Sequence, residues 1–219
     1  AGKGDADYLK NLKMKVPCVI MNSTIPGYNS VTSDRIACGA MVAQMFIAKG
    51  HRKVGLVTRN TITDSGRLRT FGFTSAYEKA GISDAKITVI EDKTDGDYGL
   101  ASMNELLEST AGDPPTAVFV TEPNNFSGTI NSLRLHGKKT PGDLDLVIFG
   151  SYSDSEINMC ISPSITTVGY PVDKVMFDCV DLICHQLDGG ILHGITKLHP
   201  SRFFFRESCT APEGWTPVD

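Results

Sequence analysis

The chain has 219 residues, a formal net charge of −4 and a sequence pI of about 5.7, with 41% hydrophobic and 21% charged residues. That is enough for one large domain or two small ones around an ordinary core, while the acidic balance argues against this stretch binding nucleic acid by itself, since such domains carry a basic surplus. No apolar run approaches the roughly 18 residues of a membrane span, and the opening residues lack the apolar centre of a signal peptide, so no membrane partner is expected.

Asp7 to Lys13 reads as the last turns of a helix, and Val16 to Met21 as a buried strand. Asn22 to Thr32, with Pro26-Gly27 at its centre, reads as a turn-rich loop. The stretch from Ser33 to Arg69 organises the rest. Ser33 or Asp34 can cap a helix, because a short side-chain oxygen accepts a bond from an otherwise orphaned amide. Ile36, Ala40, Ala43 and Ile47 recur at helical spacing and are expected to line its buried face. Gly50 stops the helix in a left-handed turn. Lys53 to Thr58 is apolar without alternation, as a strand covered on both faces should be. A polar loop, Arg59 to Ser65, then leads into a helix over Arg67 to Ala80.

The pattern continues with a strand at Lys86 to Ile90, a helix at Gly99 to Ser109 and a strand at Ala117 to Val120. Pro123 to His136 is the next helix, since proline is tolerated in a first turn. Leu144 to Phe149 is a strand, Ser151 to Cys160 a loop with a short helix, and Ile165 to Val168 a short extended piece. Val172 to Leu187 is strongly amphipathic, Arg202 to Glu207 is a last strand, and the proline-rich tail from Ala211 is an exposed arm. Strands alternating with helices imply an α/β fold built on mostly parallel sheets with right-handed crossovers.

Enzyme signatures are missing: there is no G-x-x-x-x-G-K-[ST] and no G-x-G-x-x-G after a strand. Gly150 to Asp154 resembles a nucleophile elbow, but Asp154 stands where the elbow needs glycine. The histidines (His51, His136, His185, His193, His199) are spread along the chain, and His51 and His136 lie near predicted helix ends, where they favour the dipole. Cys18, Cys38, Cys160, Cys179, Cys184 and Cys209 read as separate thiols in a reducing compartment rather than as zinc ligands, which would cluster at short spacing. No catalytic residue, metal or cofactor is expected.

What recurs is polar residues after strands: Asn22, then Asp64, Ser65 and Arg69, then Thr121 and Glu122, then Gly150 and Ser151, then Tyr170. Parallel strands deliver their carboxyl ends to one edge, where open α/β sheets bind ligands. An asparagine, an arginine, a carboxylate and an aromatic ring suit a small polyhydroxylated molecule: planar groups bond paired hydroxyls, and the ring covers an apolar sugar face or a base.

Nearly the whole chain resembles the effector-binding core of the lactose-repressor-type (LacI/GalR) transcriptional regulators. Val16 to Asn22 resembles the family's I-P-V-V-x-[IL]-[DN], Ala48 to Val57 its L-G-H-[RK]-[RK]-I-[AG], and Ser65 to Phe73 its S-x-x-R-x-x-G-[FY]. The resemblance implies a two-lobed, periplasmic-binding-protein-like (type I) fold that binds a small sugar-like effector, forms homodimers in the cytoplasm and controls operator DNA through an N-terminal helix-turn-helix. It places Asn22, Ser65, Arg69, Glu122, Gly150 and Tyr170 at effector-contacting positions. The same fold serves sugar-binding proteins of periplasmic transporters; free cysteines and the Gly50-His-Arg-Lys-Val-Gly55 segment favour the regulator.

The chain departs from the family in having Glu122-Pro123 for Asn-Asp and Ile148 to Ser151 for Gly-[FY]-Asp-Asp. The helix-turn-helix and the opening β-α-β elements of the first lobe have no match, so the chain reads as a fragment of a longer regulator. On that reading residues 1–33 and 169–203 form a partial N-terminal lobe with unpaired sheet edges, and 34–168 with 204–219 form a C-terminal lobe. Arg69→Ala is expected to abolish effector binding and leave the fold intact.

Overall fold

The computed structural model describes residues 7–9, 11, 17–59, 65–92, 96–150, 161–190 and 194–216. The chain forms two compact units, one from residues 1–34 and 170–201, the other from 35–169 and 202–219.

The first unit contains β1 (Val19–Met21), β2 (Asn29–Ser33), α5 (Val172–Leu187) and β8 (Thr196–His199). Its strands pair in the order β1-β2-β8, all parallel. β2 lies where a loop was expected. Asn29 to Ser33 is buried throughout despite its polar composition, because strands on both sides satisfy its backbone and the Asn29 side-chain oxygen accepts the Ile195 amide at 3.0 Å. Burial between two neighbours overrides the weak strand preference of asparagine and serine. α5 keeps the expected bounds, packs on β1 and β2, and leaves Met176, Phe177, Val180 and Leu187 exposed.

The second unit is a six-stranded sheet. It comprises β3 (Lys53–Arg59), β4 (Lys86–Asp92), β5 (Ala117–Val120), β6 (Asp145–Phe149), β7 (Thr166–Gly169) and β9 (Arg202–Phe204), in the order β4-β3-β5-β6-β7-β9. All neighbours are parallel except β9, which runs antiparallel to β7 at one edge. Counted within this sheet, the parallel strands run 2-1-3-4-5. The chain reverses direction across the sheet between β3 and β5, and in doubly wound sheets that switch point opens a crevice beyond the strand ends.

Two helix layers cover the sheet. On one face α3 (Leu100–Ser109) and α4 (Phe126–Leu135) bury Met103, Leu106 and Leu133 against Val57, Val118 and Leu146. The helix expected from Pro123 starts as a 3₁₀ turn over Pro123–Asn125 before α4. α1 (Arg35–Ala48) and α2 (Ser65–Lys79) pack together and surround an aromatic stack, in which Phe73 lies 5.9 Å from Phe46 and 6.0 Å from Phe119 between ring centroids. Each fully buried aromatic ring stabilises the fold by about 1.5–3 kcal/mol.

The buried face of α1 is Cys38, Gly39, Val42, Ala43, Met45 and Phe46, while Ile36 is 43% exposed. The expected face, Ile36-Ala40-Ala43-Ile47, is therefore rotated. The two helices cross backbone to backbone at their glycines: a Cβ on Gly39 would lie 1.9 Å from the Arg69 carbonyl oxygen, and one on Gly72 2.0 Å from that of Ile36. Only residues without a side chain permit that approach, so the crossing selects the glycines over the bulkier isoleucines. Ile36, Ala40, Ile47 and Phe71 instead line an open groove of about 600 Å³ with Trp215. The tail is less free than expected: the indole of Trp215 packs edge-on against Phe203 and Phe205, with centroids 5.6 and 6.0 Å away.

Candidate functional site

At the switch point β3 ends in Thr58 and Arg59, and β5 is followed by Thr121 and Glu122. The Thr121 amide donates to the Val57 carbonyl at 2.9 Å, carrying the strand pairing one residue past β5. The Thr121 hydroxyl donates to the Thr58 hydroxyl at 2.9 Å, and both side chains are buried. These bonds fix the two strand ends together, and the backbone of Glu122 just beyond them is still extended.

The first turns of α2 lie over this edge. A Cβ on Gly66 would meet the Thr58 hydroxyl at 2.6 Å and a carboxylate oxygen of Glu122 at 3.0 Å. A bare backbone there lets the positive end of α2 approach the acid, which favours its charge. One turn on, Arg69 is 3% exposed. Its Nη1 donates to the Thr121 carbonyl at 2.7 Å and to Glu122 Oε1 at 3.0 Å. The Arg69 Cζ sits 3.3 Å from the centroid of the Phe149 ring, so the guanidinium lies on that face. Arg69 Nε is buried without an acceptor. Burial pushes the Glu122 carboxyl above its ordinary range; the cations of Arg69, Arg35 and Arg59 and the bond from Arg69 pull the other way without cancelling the shift.

The structure thus brings Arg69 and Glu122 into direct contact. Gly150 follows Phe149, but its amide is spent on the Val168 carbonyl at 3.0 Å. Ser65 opens α2 and is half-buried. Asn22 and Tyr170 belong to the first unit: Asn22 follows β1 with a positive φ of 56°, and Tyr170 is 8% exposed. Asp64 and Ser151 lie outside the described residues. Phe149, Thr58 and Gly66 were not among the expected site residues. Phe149 reads as core in the sequence; its position next to Gly150 at a strand end is the signal that could have marked it.

His51 takes part in a different cluster at the opposite, amino-terminal edge of the sheet. Its ring nitrogens lie 2.9 Å from the Thr116 hydroxyl and 2.9 Å from Asp145 Oδ2. Lys49 pairs with the same carboxylate oxygen at 2.5 Å. Burial opposes ionisation of Asp145, but the hydrogen bonds and charges of His51 and Lys49 outweigh it and hold the carboxyl below its usual range. Cys209, beside them, is a buried thiol pushed up to about 12, chiefly by burial, and is inert as a nucleophile at neutral pH. Among the described residues no group of three or more His, Cys, Asp or Glu could hold a metal ion, and no helix is long and apolar enough to cross a membrane. The Arg69 cluster offers fixed donors, one carboxylate and a ring face, a set suited to gripping a small polar molecule.

The sequence profile described as "Periplasmic binding protein-like domain" matches residues 43–209. The chain is 26% identical over 212 residues to the HTH-type transcriptional regulator GalR of Escherichia coli K12, covering 95% of this chain and 60% of that protein. It is 25% identical over 172 residues to the ribose operon repressor of Haemophilus influenzae, covering 77% and 50%. The chain therefore spans between half and three-fifths of the length of these curated relatives. Among solved structures, a periplasmic binding protein/LacI transcriptional regulator from Alkaliphilus metalliredigens, complexed with D-xylulofuranose, superimposes with a TM-score of 0.77 at 19% identity, covering 92% of this chain and 74% of that one.

Proposed function

The chain belongs to the periplasmic binding protein-like family, and on that premise we propose that it is the effector-binding core of a LacI-type DNA-binding transcriptional regulator. One observation carries the reading: a buried guanidinium at the switch point of the sheet, anchored by Glu122, Thr121 and Phe149 with its Nε unfilled. Buried donors of this kind cost free energy until an acceptor arrives, so they mark a place where one is meant to bind. The relatives named above are a regulator and a repressor, which favours this output over delivery of a sugar to a transporter.

Under this proposal Arg69, Glu122, Ser65, Gly150 and the neighbouring Asp64 and Ser151 contact a small sugar or related metabolite. Asn22 and Tyr170, in the other unit, stand at effector-contacting positions of the family pattern. The two compact units are the two lobes of the family fold. A DNA-binding segment of a longer parent protein reads out the effector, in a cytoplasmic homodimer. Isothermal titration of the full chain against a panel of monosaccharides, sugar acids and nucleosides tests the reading. A saturable heat is expected whose affinity falls by about ten-fold or more in Arg69→Lys. Silence across the whole panel, or binding that Arg69→Lys leaves unchanged, overturns it.

A further inference from the structure

Among the described residues, Arg69 uses only one of its two hydrogen-bonding edges. Nη1 is saturated by the Thr121 carbonyl and Glu122. Nε has no acceptor, and no hydrogen bond among the described residues uses Nη2. The guanidinium is 4% exposed in its side chain, so water supplies little compensation at the buried Nε. The Phe149 ring beneath Cζ holds the guanidinium plane, and with it the direction of the unused edge. Two parallel N–H bonds along such an edge match the spacing of the two oxygens of a carboxylate.

Charge at the site points the same way. Among the described residues, the charged groups that act on the buried Glu122 are the cations Arg69, Arg35 and Arg59. The amino-terminal end of the 15-residue α2 reaches the same carboxylate at Gly66. A neutral sugar hydroxyl can accept one bond from Nε, but it leaves the charge of that edge unanswered. An anion answers both.

Resting on the effector-binding reading above, we propose that the ligand of this site is a sugar acid, whose carboxylate docks side-on across Nε and Nη2 of Arg69 while Glu122 remains on Nη1. Glu122 then acts as a built-in brake. Its negative charge compensates Arg69 in the empty protein and repels a second carboxylate arriving on the other edge. The residue at position 122 sets how strongly acids are preferred over their neutral parents.

Calorimetry on the full chain tests this with D-galacturonate, D-glucuronate and D-gluconate against D-galactose and D-glucose. At least one acid is expected to bind about ten-fold more tightly than its neutral parent, with the preference shrinking as salt rises. Glu122→Gln keeps an oxygen for Nη1 and removes the repelling charge, so the ratio of acid to neutral-sugar affinity rises by about ten-fold. Arg69→Lys keeps the charge and loses the fork, and the acid preference collapses; circular dichroism and thermal melting establish that each variant is folded. A neutral sugar that binds as tightly as its acid overturns the carboxylate assignment and leaves the effector reading standing. An acid preference lost in Arg69→Lys together with all binding supports the site, whereas one that Arg69→Lys leaves unchanged overturns the carboxylate assignment and the placement of the site at Arg69. Absence of binding by acids, sugars and nucleosides alike overturns both.

Discussion

Replacing Arg69 by alanine tests the energetics of the site apart from any ligand. Sequence reasoning treats Arg69 as a binding residue whose loss spares the fold. The structure places it at 3% exposure, in an ion pair with a Glu122 side chain that is itself only 17% exposed. Removing one partner of a buried pair strands the other charge, at a cost of about 3–5 kcal/mol. The Thr121 carbonyl loses a charge-assisted donor as well, and Phe149 loses the cation on its face. Glu122 can limit the loss by taking up a proton, because its carboxyl is already raised by burial. The lower end, about 3 kcal/mol, is therefore expected near neutral pH. For a chain of this size that lowers Tm by about 6–12 °C.

The pH dependence gives this expectation its sign. A carboxyl raised in the folded state favours folding below its unfolded value, and that contribution is lost as pH rises through the folded value. Without Arg69 the shift is larger, so the deficit of Arg69→Ala is greatest at neutral pH and narrows on acidification. The double variant Arg69→Met, Glu122→Leu removes both charges and recovers most of the lost stability. Thermal and urea denaturation of the three proteins across pH measures this. A single variant within about 2 °C of wild type, or a double variant no more stable than the single, refutes the account of a buried and mutually dependent pair.

Two further outcomes follow from the packing. Gly39→Ala puts a methyl group 1.9 Å from the Arg69 carbonyl oxygen and forces α1 and α2 apart; a loss of about 1–3 kcal/mol in urea denaturation is expected, with weaker effector binding although Gly39 lies outside the proposed contacts. Asp145→Asn removes a carboxylate held below its usual range by His51 and Lys49 against the pull of burial. A lowered carboxyl contributes stability that is present above the unfolded value and lost as pH falls. The Tm gap between wild type and Asp145→Asn should thus be widest near neutral pH and close in acid.

The alternation of strand and helix was legible because the β3, β5 and β6 strands are apolar on both faces, and α5 because its stripe has an unbroken helical period. β2 and β8 were not. Asn29 and Ser30 carry turn and loop preferences, and Thr196 to Leu198 is exposed; only pairing between distant segments makes either a strand. The face of α1 was misjudged for a related reason. Periodicity ranks Ile36 and Ile47 above Gly39, whereas helix crossing ranks residues by how close they let two backbones come. At the site, Arg69 and Glu122 were legible as polar residues after strands, and their pairing was not. It depends on Gly66 and Gly39 holding α2 down onto the β3 and β5 ends, a distance that no spacing in the sequence encodes.

That same proximity sets a limit on how tightly the site can bind. A guanidinium buried to this extent needs a counter-charge in the empty protein, and Glu122 at 3.0 Å supplies it. The anion proposed for this edge therefore meets a cation already paired, and its net gain would be its pairing with Arg69 less its repulsion from Glu122. Arg35, Arg59 and the end of α2 offset part of that repulsion, since all act on Glu122 or lie against it. Deleting the acid raises the gain and lowers the stability of the unliganded state, so affinity for an anion and stability without it move in opposite directions at this one residue. Titration and denaturation of Glu122→Gln read the two sides of that exchange on the same protein, and a variant that improves both contradicts it.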